Sequence, residues 1–226
     1  MLPVDRKAEL PPVAARRAAV VQQSGLQWPD AACRWTALIY GVGVFLLWLA
    51  IYGGANWITS LHNYRVPLRT RFDSAIPFIP TAAIAYLSLF AMLWLSPFVF
   101  RTTEQLQAFA LSLATVIVIS GIGFVLIPAE PTDISSVETD LHGRVFQFTD
   151  WINLKYNSFP SLHVAMAFLC AASFSCSKSA RMRIFFWLWS ATIALSTLLT
   201  RQHYIADVIA GGLLGVMVAP RRPLLM

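Results

Sequence analysis

Charge is what this sequence has least of. Asp, Glu, Lys and Arg make up 12% of its 226 residues, about half the ~25% usual in a soluble domain. That deficit argues against a water-soluble globule. Cysteine is scarce too. Cys33, Cys170 and Cys176 are too few and too dispersed for a metal site and read as buried free thiols. No metal-ligand cluster stands out elsewhere, so no cofactor is expected. The first 30 residues are rich in Pro, Ala and Arg and lack an early apolar core, so they do not read as a secretory signal peptide. There is no internal repeat.

What is abundant is apolar. Hydrophobic residues reach 57% and run in long unbroken stretches, the pattern of membrane spans rather than of amphipathic stripes. Six spans are expected: Trp35–Ile58, Ile76–Phe100, Leu106–Pro128, Ser161–Ser177, Met182–Thr200 and Tyr204–Ala219. The predicted fold is therefore all-α, a polytopic bundle of six transmembrane helices. Residues 1–30 form a disordered cytoplasmic tail and residues 31–226 the membrane domain. Trp28, Trp35, Trp57, Tyr64, Trp151 and Tyr156 sit near span ends, as interface anchors do.

The net charge of +6 fits a cytoplasmic Lys/Arg excess better than a nucleic-acid surface. With the N-terminus inside, eleven of the 17 Lys and Arg residues fall on the cytoplasmic side and six outside. The orientation rule thus places both termini in the cytoplasm. The loop from Ala129 to Pro160, with Glu130, Asp133, Glu138, Asp140 and Asp150, then faces outward. Three of the outside cations, Arg65, Arg69 and Arg71, crowd into "YRVPLRTRF", against that rule. They are candidates for a lipid-headgroup anchor or for phosphate binding. Compact size and the absence of eukaryotic targeting signals point to a bacterial inner membrane.

Two polar islands interrupt the apolar runs at the same predicted face. "SFPSLHVAMAF" opens the fourth span, and "TRQHYIADVIAGG" joins the fifth to the sixth. His203 and Asp207 are four apart, so on a helix they share a face. A carboxylate there can fix the tautomer of the imidazole and make its other nitrogen more nucleophilic. In the first island Pro160 suits the first helical position, Ser158 or Asn157 can cap the helix, and the first-turn amides form an anion site. Ser161 adds a hydroxyl and His163 stands one turn in. Ionisable groups at such depth are costly and usually functional.

"PSLH" at Pro160–His163 followed by "RQHYIAD" at Arg201–Asp207 resembles the type-2 phosphatidic acid phosphatase superfamily. The family pattern is Lys-x6-Arg-Pro, Pro-Ser-Gly-His and Ser-Arg-x5-His-x3-Asp. The wording is closest to the branch of sphingomyelin and inositol phosphorylceramide synthases, over about Ser74 to Gly215. The resemblance implies a lipid phosphate substrate and a metal-independent phosphoryl transfer. It makes His203 the nucleophile, Asp207 its orienting partner, His163 the general acid and Ser161 a phosphate ligand.

The sequence departs from the pattern twice. Lys-x6-Arg-Pro is absent, and Thr197 stands where the third motif has its arginine, while Arg201 sits two residues before His203. Arg201, with Arg65, Arg69 or Arg71, is the expected replacement. A lipid phosphatase acting on phosphatidate-like or isoprenyl-phosphate lipids and a head-group phosphotransferase share this chemistry. A transporter using His and Asp as a proton relay, or a catalytically inactive membrane protein, are the readings of another class. The oligomeric state is left open.

Overall fold

The computed structural model describes residues 26–132, 141–154, 156–176 and 178–220. The expected tail up to residue 25, the cations at 6, 7, 16, 17, 221 and 222, Lys155, and the loop acids Asp133, Glu138 and Asp140 lie outside the described residues. Eight α-helices are described: α1 Ala31–Ser60, α2 Ala83–Trp94, α3 Ser96–Val99, α4 Thr103–Leu126, α5 Leu141–Ile152, α6 Leu162–Ser175, α7 Ala180–Leu199 and α8 Ile205–Val218. No strand is present among the described residues beyond a single bridge between Val66 and Ala129.

α1, α4 and α7 are long and apolar enough to cross a membrane. Along α1 the apolar side chains of Trp35, Ile39, Leu46 and Leu49 stay exposed, a greasy surface that only a lipid-facing helix sustains. Three shorter apolar helices, Pro80–Trp94, Leu162–Ser175 and Ile205–Val218, fall where the second, fourth and sixth spans were expected. A 14-residue helix measures about 21 Å, less than the ~30 Å hydrocarbon core.

The second span departs from the expected continuous Ile76–Phe100. A 3-10 turn at Pro80–Ala82 precedes α2, and the helix stops at Trp94 before the separate turn of α3. Pro77, Pro80 and Pro97 explain the break, since proline lacks an amide and excludes the preceding residue from helical geometry. The segment between α4 and α6 contains α5. Cys33 and Cys170 are buried, but Cys176 is exposed, since it is the residue at which α6 ends.

The helices alternate in direction, so their termini gather at two opposite ends of the bundle. At one end Gln27 N donates to Phe98 O, Cys33 Sγ to Arg101 O and Lys178 Nζ to Val99 O. At the other, Val66 and Glu130 pair across Pro128 and Val66 carbonyls, and Ile79 N donates to Leu199 O at 2.8 Å. That second end holds both polar islands.

α6 is the most enclosed helix, with Val164, Ala165, Ala167, Leu169, Cys170, Ala171 and Phe174 all fully buried. It packs closely on α8 because Gly211 and Gly215 present bare backbone. A Cβ built on Gly211 would meet the Ser161 carbonyl, and one on Gly215 the Ala165 carbonyl. This is the small-residue packing that brings membrane helices together where hydrophobicity cannot. Gly215→Leu should lower stability by at least about 1–3 kcal/mol, because the obstructing atom is backbone and cannot swing away. Gly54, with nothing within 4 Å of the corresponding point, is the control position. Thermal denaturation of both leucine variants in detergent checks this.

Candidate active site

The turn between α7 and α8 builds the site. Thr200 is the C-cap of α7, and Arg201 follows at φ 52. Arg201 N donates to Leu198 O at 3.0 Å and Gln202 N to Thr197 O at 3.0 Å. That is the pair of bonds of a Schellman helix end, in which glycine usually takes the left-handed position. Arginine there costs ~1 kcal/mol or more, and such local strain gathers at functional positions. His203 N also donates to Thr197 O, at 3.3 Å. His203 therefore precedes α8 instead of riding on it as the spacing alone predicts.

Asp207 lies in the first turn of α8 and is fully buried. Its Oδ2 accepts from Tyr204 N at 2.9 Å and stands 3.4 Å from His203 Nδ1. The imidazole contact is within ion-pair range but lacks the alignment of a hydrogen bond, so His203 Nδ1 and Asp207 Oδ1 are both left without a partner. Gln202 Nε2 and Asn157 Oδ1 are buried and unpartnered at the same end of the bundle. Buried polar atoms are nearly always paired, so this concentration marks a site rather than a structural core.

His203 lines a cavity of about 70 Å³ together with Arg69, Asp73, Ile76, Thr132, Leu198, Arg201 and Tyr204. A single water needs ~10–15 Å³ of such volume, so a phosphate group fits. Two of the four expected arginines are thus brought to His203. The other two are not. Arg65 turns back on the end of α1, donating to Thr59 O, His62 O and Tyr64 O, and stacks on Tyr156 at 4.1 Å. Arg71 lies over its neighbour Phe72 at 4.9 Å.

Asp73 adds a carboxylate that the sequence did not single out. Oδ2 accepts from Thr70 N and Oγ1 at 2.7 and 2.5 Å, and Oδ1 accepts from Ile205 N at 2.8 Å. The Arg69 loop is thereby tied to the start of α8. Burial alone would raise the Asp73 carboxyl, but the bonds from Thr70 and Ile205 outweigh it and hold it below the usual carboxylate range. A depressed folded-state value means stabilisation that is complete above the ordinary carboxylate value near 4 and lost as pH falls through the folded one. Asp73→Asn should melt below wild type near neutral pH, and the gap should close below about pH 4. Thermal melts at the two pH values measure it.

Ser161 is the N-cap of α6. Its Oγ accepts from Val164 N at 3.3 Å, and its own amide donates to Asp207 O at 3.0 Å. The expected cap at Ser158 or Asn157, with Pro160 inside the helix, is therefore corrected. The helix starts one residue after Ser161 because Asp207 draws that amide out of the first turn. Asn157 instead donates from Nδ2 to Tyr52 O at 2.6 Å.

His163 is buried against α2. Its ring stacks on Tyr86 with centroids 3.7 Å apart, and Nε2 is 2.7 Å from the Tyr86 carbonyl oxygen. A carbonyl only accepts, so Nε2 carries a proton and Nδ1 is the nitrogen free to exchange one.

A half-buried amide links the two histidine neighbourhoods. Asn153, just past α5, accepts at Oδ1 from Tyr86 Oη at 3.0 Å and Tyr52 Oη at 3.3 Å, and donates from Nδ2 to Gln202 Oε1. Tyr86 stacks on His163, and Gln202 precedes His203. Sequence reasoning missed this network. The only available signal was amide and phenol groups beside apolar runs. Among the described residues, no group of three or more His, Cys, Asp or Glu side chains is placed to hold a metal.

A family model described as the PAP2 superfamily matches residues 54–220. Among solved structures, the chain is similar to Aquifex aeolicus LpxE, at 20% identity over 77% of this chain and 91% of that one, with a TM-score of 0.46. No curated protein matches.

Proposed function

The chain belongs to the PAP2 superfamily, and from that premise we propose that it is an integral membrane lipid phosphatase acting through a phosphohistidine. The observation that carries this reading is the phosphate-sized cavity in which His203 meets Arg69 and Arg201, with Asp207 behind it. Residues 31–226 act as one membrane domain of six spans. Its site faces the extracytoplasmic side of a bacterial inner membrane, with both termini in the cytoplasm. In that orientation eleven of the 17 Lys and Arg residues lie on the cytoplasmic side, as the orientation rule favours.

The substrate is a lipid phosphate monoester of the phosphatidate or isoprenyl-phosphate kind. Arg69 and Arg201 hold the phosphoryl oxygens and offset the charge that builds on them. Asp207 keeps the proton of His203 on Nδ1, so Nε2 attacks phosphorus. The bond from phosphorus to the lipid oxygen breaks, its electron pair stays on that oxygen, and His163 supplies a proton from Nδ1. Water then attacks the phosphorus–nitrogen bond and returns its proton to His163. Phosphate leaves, and both imidazoles are restored. No step calls on a metal. Ser161 contributes by fixing the start of α6.

The test is phosphate release from phosphatidate by purified protein in detergent with EDTA. Release supports the metal-free phosphatase. If a diester lipid donor instead passes its head group to diacylglycerol or ceramide and phosphatidate gives none, the phosphatase reading is replaced by head-group transfer.

A further inference from the structure

α1 packs along α4, while α2 packs along α6 and α7. Between α1 and α2 lies a cleft of about 710 Å³ lined almost entirely by apolar atoms, with Gly41, Trp48, Phe90, Trp94, Phe109 and Met166 among its walls. It is ten times the size of the cavity at His203. Along α1 it runs from Trp48 to Ala37, about 17 Å of helix, toward the end opposite the polar site.

The head of this cleft abuts the catalytic layer on two helices. Phe90 meets the His163 ring edge-on at 6.2 Å, and Met166 lies one turn below His163 on α6. Trp48 stacks on Tyr52 at 5.4 Å, and Tyr52 reaches Asn153. His163 therefore stands with the His203 motif at the same end of the bundle and the head of the apolar cleft reached through Phe90 and Met166. In a lipid phosphate the atom between head and tail is the bridging oxygen, which is where a general acid must act.

We propose that this cleft binds one extended hydrocarbon chain of the lipid phosphate, running inward from His163 past the middle of the membrane. The inference rests on the phosphatase reading for the position of the phosphate. It adds a chain site with its own length limit. Selectivity then comes from chain length and from the narrowness of an aromatic-lined cleft, since apolar pockets discriminate by shape and area.

Gly41 offers a direct block, because nothing lies within 4 Å of where its Cβ would be. Gly53 on the same helix is equally open, lies outside the cleft and is the matched control. The probe is a palmitoyl phosphatidate with a photoreactive group midway along one chain, with photoreactive phosphatidylcholine of the same chain alongside. Turnover of phosphatidate and of a soluble aryl phosphate is measured in parallel. Labelling by phosphatidate should map to the cleft-facing parts of α1 and α2. Gly41→Phe should cut that labelling and phosphatidate turnover by about tenfold or more, spare the aryl phosphate, and leave Gly53→Phe like wild type. Labelling unaffected by Gly41→Phe, or equal labelling by phosphatidylcholine, overturns the chain site. Localised labelling in a wild type that releases no phosphate would sink the phosphatase reading while sustaining the chain site.

Discussion

His203→Ala should abolish phosphate release from phosphatidate, by at least ~1,000-fold in turnover, while leaving the protein folded. Removing a nucleophile forecloses the covalent route altogether, and what survives is the modest effect of binding and electrostatics. The fold should survive because the turn is held by backbone. His203 N and Gln202 N both donate to Thr197 O, and Ile79 N closes Leu199 O. None of these bonds uses the imidazole. The phosphate cavity keeps Arg69 and Arg201, so a non-reacting lipid phosphate should still bind the variant with near-wild-type affinity. Acid-labile, base-stable phosphate should be trapped on wild type and be absent from His203→Ala. A variant that retains turnover within tenfold of wild type would remove His203 from the chemistry.

The family and the place of the candidate site were legible where the signal is local. "FPSLH" and "QHYIAD" carry their residue types at fixed spacing, and the structure sets both motifs at one end of the bundle. The alternation of apolar runs likewise foretold an all-helical membrane chain. The three arginines of "YRVPLRTRF" were equivalent as sequence. Only folding separates Arg69, which faces His203, from Arg65, which turns back on the carbonyls ending α1. The Asn153 network is invisible for the same reason. Residues 52, 86, 153 and 202 come from four elements, and each alone passes for an ordinary interface or loop residue. The same holds for Asp73, whose partner is the amide of Ile205, 132 residues away. Periodicity reports which face of an element is buried, not which distant backbone group will need an acceptor. Proline did leave a readable mark, but its effect on the second span was masked by the span's high apolar content.

Asp207→Asn should separate folding from catalysis at the second most sensitive position. The carboxylate has two duties. It accepts from Tyr204 N at the start of α8, and it faces His203 Nδ1 at 3.4 Å. Asparagine keeps an acceptor oxygen for the Tyr204 amide, so α8 should start as before and the thermal midpoint should hold. What it loses is the charge and the second oxygen. The oxygen that stays on the Tyr204 amide is also the one that faces Nδ1, so the tautomer is kept, but no negative charge remains beside the imidazole to balance the positive charge it gains on attacking phosphorus. Turnover should fall ~100-fold or more, the scale of losing one electrostatic partner of a developing charge. KM should move little, since Arg69 and Arg201 are untouched. Asp207→Ala should lose the same activity and in addition about 1 kcal/mol of stability from the uncapped amide. If Asp207→Asn keeps turnover within tenfold of wild type while Asp207→Ala melts early, the carboxylate serves the helix alone, and His203 must be oriented by the backbone of the turn that carries it.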